Sequence, residues 1–217
     1  MTSDLHKQIR ANCSFDQVRQ QIESSPGSEY IREGSRTLLH TAVSAGNFEA
    51  VEYFVSNHPE LLHTAEKKGY TPLHIIGETL PGDTRFAGTL ASELAPILLS
   101  AGAPLESKNS LGRTPLLSMS VKANMHPDWL KSLATLLEAG ANPNAQDNEG
   151  RTYLHYIAQE AEVWAPLRIV ELLLQSGARL DIRDASGKTP LDICRTTYTP
   201  CDHDDLGTLL ALLGETA

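Results

Sequence analysis

Three histidines, His40, His74 and His155, and a C-terminal cluster, Cys194-x6-Cys201-Asp202-His203, are the residues whose types could bind a metal or move a proton. Thiolate and imidazole are zinc ligands, and imidazole titrates near neutral pH. Neither set has the pattern that such chemistry needs. Each histidine is the fourth letter of a recurring tetrapeptide, Thr37-Leu38-Leu39-His40, Thr71-Pro72-Leu73-His74 and Thr152-Tyr153-Leu154-His155, so His40 and His74 lie one period apart along the chain and His155 two periods further on. The cysteine spacing matches no standard zinc knuckle. Cys194 stands where the first full unit carries Ala42, the place of a small buried side chain. A thiol nucleophile beside His203 would lack an oxyanion site and a group to orient the imidazole. Phosphate loops, dinucleotide fingerprints, nucleophile elbows and His-Glu-x-x-His helices are absent from the sequence. The sequence therefore predicts no catalytic residue, no metal site and no cofactor. The rival class is a small metal-binding or enzymatic protein using Cys194, Cys201 and His203.

The elements that carry these residues are written repeatedly. Thr114-Pro115-Leu116-Leu117 and Thr189-Pro190-Leu191-Asp192 bring the tetrapeptide to five copies. A second phrase, Leu98-Leu99-Ser100-Ala101-Gly102-Ala103, returns as Leu136-Leu137-Glu138-Ala139-Gly140-Ala141 and Leu173-Leu174-Gln175-Ser176-Gly177-Ala178. Its glycines each precede Gly112, Gly150 and Gly187 by ten residues. Together the two phrases resemble the ankyrin-repeat family, whose unit is a β-turn plus two helices and whose signature is Thr-Pro-Leu-His-x-Ala. The resemblance implies an all-α solenoid of about six helix-turn-helix units joined by β-hairpin-like turns. It also implies that the signature histidines bridge backbone groups of adjacent turns, at least one repeat apart and too distant to share a metal.

Local chemistry agrees with that fold. A threonine hydroxyl can cap the first helical turn, and proline suits the first helical position because no amide donor is needed there. Glycine a few residues after a Leu-Leu pair lets a helix stop in a left-handed conformation. The signature threonines, 37, 71, 114, 152 and 189, are spaced by 34, 43, 38 and 37 residues, against a family period of about 33. Because the glycine-to-glycine interval is constant, the extra residues are expected between the paired helices, within 77–88, 120–129 and 159–166. Phe86, Trp129 and Trp164 lie in these inserts, either plugging the gaps the inserts open or forming a second binding edge.

Shifting the first residues by 33 places Phe15, Val18 and Ile22 on Phe48, Val51 and Val55. Residues 1–33 are thus expected to form a degenerate N-terminal capping repeat, with helices from about Asp4 to Asn12 and from Ser14. His6, Lys7, Gln8, Arg10, Gln17, Arg19 and Gln20 would give it a polar outer face. Residues 34–217 are expected to be the repeats proper, closed by a C-terminal capping unit whose second helix spans Asp204 to Leu213.

A formal net charge of −9 over 217 residues disfavours nucleic acid and anionic membranes as partners. Three cysteines, no long apolar run and no secretory leader predict a cytoplasmic protein. Eleven arginines against seven lysines hint at a GC-rich, bacterial gene. An array without catalytic groups is expected to be a recognition surface. One residue before each signature threonine stand Arg36, Tyr70, Arg113, Arg151 and Lys188, a row with four cations. Tyr153 and Tyr156 add two aromatic rings beside Arg151, and aromatic and arginine side chains are the types enriched at interface hot spots. The sequence thus predicts a monomeric adaptor or inhibitor that binds an acidic patch on another protein through hairpin tips and concave helices. An immunity protein that neutralises a toxin, or an effector aimed at host proteins, would use the same surface.

Overall fold

The computed structural model describes residues 2–11, 15–25, 27–30, 32–78, 89–120, 127–160, 167–197 and 211–212. The chain opens with helices α1 (Thr2–Arg10) and α2 (Phe15–Ser24). A short antiparallel hairpin follows, β1 (Arg32–Glu33) on β2 (Arg36–Thr37). Helix pairs then succeed one another: α3 (Leu38–Ala45) with α4 (Phe48–Asn57), α5 (Pro72–Glu78) with α6 (Thr89–Ser100), and α7 (Pro115–Met119) with α8 (Pro127–Glu138). The last pair is α9 (Tyr153–Glu160) with α10 (Leu167–Gln175), after which α11 (Pro190–Thr197) begins a further unit. Helices α3, α5, α7, α9 and α11 each start one residue after a signature threonine.

The opening helices stack on one another, α1 on α3, α3 on α5, α5 on α7 and α9 on α11, while α4, α6 and α8 stack behind them. This arrangement is the expected all-α solenoid. Its core is one continuous apolar cluster running from Leu5 and Ile9 through Leu39, Phe54, Leu73, Leu98, Leu116 and Leu136 to Leu154, Val170 and Cys194. Burying each large aliphatic side chain contributes roughly 1.5–3 kcal/mol, and the stacking of neighbouring units supplies part of that burial. Among the described residues no helix is long and apolar enough to cross a membrane.

Caps and stops fall where the sequence predicts them. Thr37 and Thr114 accept from the amides of His40 and Leu117 at 3.4 and 3.2 Å. Proline opens α5, α7 and α11. After α6, α8 and α10, the amides of Ala103, Ala141 and Ala178 return to the carbonyls of Leu98, Leu136 and Leu173 at 2.9–3.0 Å. The α4 unit departs from this plan. It lacks the Leu-Leu-x-x-Gly phrase, and a 3-10 turn, Pro59–His63, buries Leu61 and Leu62 instead.

At the N-terminus the first helix begins at Thr2 rather than at Asp4, the second is described from Phe15, and the expected start at Ser14 lies outside the described residues. Lys7, Arg10, Gln17, Arg19 and Gln20 are exposed and Gln8 half-buried. His6 corrects the expected outer face: it is fully buried, with Nδ1 2.6 Å from Thr41 Oγ1 on α3. The stretches 79–88, 121–126 and 161–166 join the helices of one pair and lie outside the described residues, as do Phe86, Trp164, Cys201, His203 and most of the expected Asp204–Leu213 helix. Trp129 falls in the first turn of α8.

Candidate functional site

Before α5, α7, α9 and α11 the chain makes a tight finger. Glu66, Asn109, Asp147 and Asp184 each donate their amide to the carbonyl of the residue four ahead, Tyr70, Arg113, Arg151 and Lys188, at 2.9–3.1 Å. In three fingers the first side chain also ties the tip: Oδ1 of Asn109, Asp147 and Asp184 accepts two amides each, at 2.8–3.0 Å. The acidic or amide residue three places before each finger glycine was the signal for this. Their role in the turns is a finding of the structure.

Neighbouring fingers are joined through their main chains. Ser110 N donates to Lys68 O at 2.8 Å, Asn148 N to Leu111 O at 3.0 Å, and Ala185 N to Glu149 O at 2.8 Å. The approach is so close that a Cβ on Gly112, whose φ is +76°, would lie 2.7 Å from Asn148 N. Signature histidines brace the fingers from behind. His74 Nδ1 accepts from Thr71 N at 3.1 Å, and its Nε2–H donates to the carbonyl of Arg113 at 3.0 Å. His155 repeats this with Thr152 N and the carbonyl of Lys188, and His40 Nε2 reaches the carbonyl of Tyr70 at 2.9 Å. Burial holds all three imidazoles below their ordinary pKa. At His74 and His155 a proton on Nδ1 would face the amide donor of Thr71 or Thr152, which reinforces the neutral form. These histidines serve as backbone bridges, as the resemblance implies. The hydroxyls of Thr71 and Thr152 lie 2.8 Å from histidine Nδ1, and that of Thr37 lies 2.7 Å from His40 Nδ1, so at Thr37 the cap is shared with the bridge.

The expected row of side chains divides into three kinds. Lys188 is exposed, and Arg151 is 29% exposed with Nη1 3.2 Å from Glu149 Oε2 and 3.4 Å from Gln159 Oε1. Arg36 is partly exposed and donates Nε to Glu66 Oε2 at 2.9 Å. Arg113 is 17% exposed and committed within the protein. Its Nη2 donates to Tyr156 Oη at 2.7 Å, its guanidinium lies 4.8 Å from the Tyr156 ring centre, and its Nε is 3.6 Å from Asp147 Oδ2. Tyr156 Oη in turn donates to Asp147 Oδ2. Burial first, and then the bond to Asp147, raise the Tyr156 pKa.

Two expectations for the groove are corrected. Tyr153 is 1% exposed and is among the largest fully buried side chains, so its ring fills space between helices. Tyr70 and Tyr156, at 8% and 7% exposure, are also buried, Tyr70 with its ring 5.6 Å from that of His74. The open cations therefore concentrate at Arg151 and Lys188, with Arg36 at the far end of the row.

Cys194 is fully buried at the small-residue position on α11. Among the described residues no group of three His, Cys, Asp or Glu side chains is arranged to hold a metal ion.

Comparison with known proteins gives the same unit. A model described as "Ankyrin repeats (many copies)" matches residues 28–76, and one described as "Ankyrin repeats (3 copies)" matches residues 86–184 and 117–210. A putative ankyrin repeat protein of Acanthamoeba polyphaga mimivirus is 38% identical over 86 residues, 40% of this chain and 19% of its own length. Rabankyrin-5 of Mus musculus is 27% identical over 189 residues, 85% of this chain and 14% of its own. E3 ubiquitin-protein ligase KEG of Arabidopsis thaliana is 29% identical over 165 residues, 75% of this chain and 9% of its own. The chain thus spans less than a fifth of the length of each of these relatives. The matching models describe repeats that act as protein–protein interaction modules, and neither is of a catalytic family. With the repeat models covering most of the chain and the finger-and-helix-pair unit recurring through the structure, the protein belongs to the ankyrin-repeat family.

Proposed function

We propose that this chain is a non-catalytic recognition array, an adaptor or inhibitor that binds an acidic patch on another protein in the cytoplasm. The observation that carries this reading is the ladder of finger-to-finger main-chain bonds, which ties together the four fingers that end at Tyr70, Arg113, Arg151 and Lys188. Exposed Lys188 and partly exposed Arg151 give that row open positive charge on a chain of net charge −9. A fixed row presents its charges without the ordering cost of a flexible loop, which favours affinity. We further propose that residues 1–33 are the N-terminal cap, supported by α1 packing on α3 with its lysine and arginine outward, and that the array acts as a monomer.

The test begins with a partner recovered from native lysate and identified by mass spectrometry. Arg151→Ala combined with Lys188→Glu is expected to weaken the purified complex by more than about 1 kcal/mol while leaving the melting temperature unchanged. Unaltered affinity would remove the basic row from the interface and direct attention to the edge that carries the inserts.

A further inference from the structure

The residue before each later finger glycine is Lys68, Leu111, Glu149 or Ser186, so three of the four tips carry a polar side chain. Leu111 is the exception, and it is 47% exposed. Tyr30, at 52%, is the other exposed large hydrophobic residue among those described, but its hydroxyl donates to Glu60 Oε1 at 2.7 Å. Nothing in the folding of the finger requires leucine at position 111. Its amide donates to Asn109 Oδ1 at 2.9 Å and its carbonyl accepts from Asn148 N at 3.0 Å, bonds that any residue with those backbone groups would make. The backbone beneath the side chain is therefore clamped on both sides while the isobutyl group stands in solvent.

Its two neighbours along the tip ladder differ in charge. On one side the Ser110 N to Lys68 O bond sets the Lys67–Lys68 tip directly beside it. Both lysines are exposed, and among the described residues no carboxylate pairs with either. On the other side the Glu149 carboxylate is already 3.2 Å from the Arg151 guanidinium. At physiological salt, screening acts over about 8 Å, so a docked segment meets the local lysine pair rather than the summed charge of the chain.

We propose that Leu111 and the Lys67–Lys68 tip form the anchor of the interface. Their occupant is a segment of another protein in which an apolar side chain is flanked by Asp or Glu. The proposal rests on the protein-binding reading above and moves its centre of affinity from the concave row to the tips. An exposed apolar group on a rigid backbone is desolvated at little conformational cost, and an adjacent lysine pair selects the acidic flank.

A random peptide display library panned against the intact chain tests this. Recovered peptides are expected to share an apolar residue next to two or more carboxylates. Leu111→Asp, and separately Lys67→Glu with Lys68→Glu, should each weaken them about tenfold, with the melting temperature unchanged because the backbone bonds remain. Peptides lacking the pattern, no recovered peptide, or affinities indifferent to these changes overturn the proposal. Loss of binding only in Arg151→Ala with Lys188→Glu would keep the basic-row reading and reject the tip anchor. A dimer in sedimentation velocity that Leu111→Asp dissociates would make the occupant a second copy and likewise overturn it.

Discussion

Two glycines occupy equivalent places in different fingers and should respond differently to the same methyl group. Gly112 and Gly187 have nearly the same left-handed backbone, φ +76° and +77°, so alanine strains each by roughly 1–2 kcal/mol. At Gly187 nothing lies within 4 Å of the added carbon. At Gly112 it would meet the side-chain oxygen of Asn148 and come within 2.7 Å of the Asn148 amide nitrogen. Relief requires the two fingers to part. That would break the Asn148 N to Leu111 O bond at 3.0 Å and the Asn148 Nδ2 to Ser110 O bond at 3.0 Å. Each such bond has a net worth of about 1 kcal/mol. Gly112→Ala is therefore expected to cost about 3–4 kcal/mol, and Gly187→Ala about 1–2 kcal/mol. In urea unfolding followed by circular dichroism, with a slope near 2 kcal/mol/M, the midpoints should differ by about 1 M. Equal midpoints would show that the fingers do not restrain one another, and the reasoning would fail.

Other consequences follow from the same geometry. His40, His74 and His155 are buried neutral, with folded pKa values below the unfolded value of about 6.5. Unfolding then takes up protons, so stability is fully present above about pH 6.5 and is lost as pH falls through the folded values, by at most about 1.4 kcal/mol per pH unit for each histidine. Urea midpoints that stay flat from pH 7.5 to about 5 would contradict this. Tyr156→Phe removes one hydroxyl that serves both Arg113 and Asp147, and should cost about 1–3 kcal/mol in chemical denaturation, whereas Arg151→Ala should stay within about 0.5 kcal/mol. Arg113→Glu would set a carboxylate against Asp147, so a lowered melting temperature is expected. An unchanged value would return Arg113 to the set of solvent-facing cations.

Much of the architecture was legible because repetition itself is a structural statement. The signature threonines mark the starts of α3, α5, α7, α9 and α11, and the constant glycine interval confines the extra residues to the connections between paired helices. The histidine bridges were legible through the family resemblance. The depth of the candidate side chains was not. Position one before the threonine gives a direction along the finger, but whether a cation stays in solvent depends on what the next unit offers it. Arg113 meets Tyr156 and Asp147 and turns inward, whereas Lys188 remains exposed. Tyr153 occupies the usual proline place, and only the packing around it reveals that a whole ring is enclosed. His6 illustrates the same limit of one-dimensional reading, since a polar residue on a terminal helix can still face the unit behind it. Leu111 carried a signal, an apolar letter at a tip otherwise held by Lys, Glu and Ser, visible once the fingers are aligned on their glycines.

The account stands on the fingers forming one bonded ladder, and amide hydrogen exchange at Ser110, Asn148 and Ala185 measures that ladder directly. Each of these amides donates to the carbonyl of the preceding finger. They are expected to exchange at least about a hundredfold more slowly than the unstructured chain, and Gly112→Ala should release Asn148 selectively. Exchange of all three at the unstructured rate in the wild-type protein would contradict a fixed, shared docking surface.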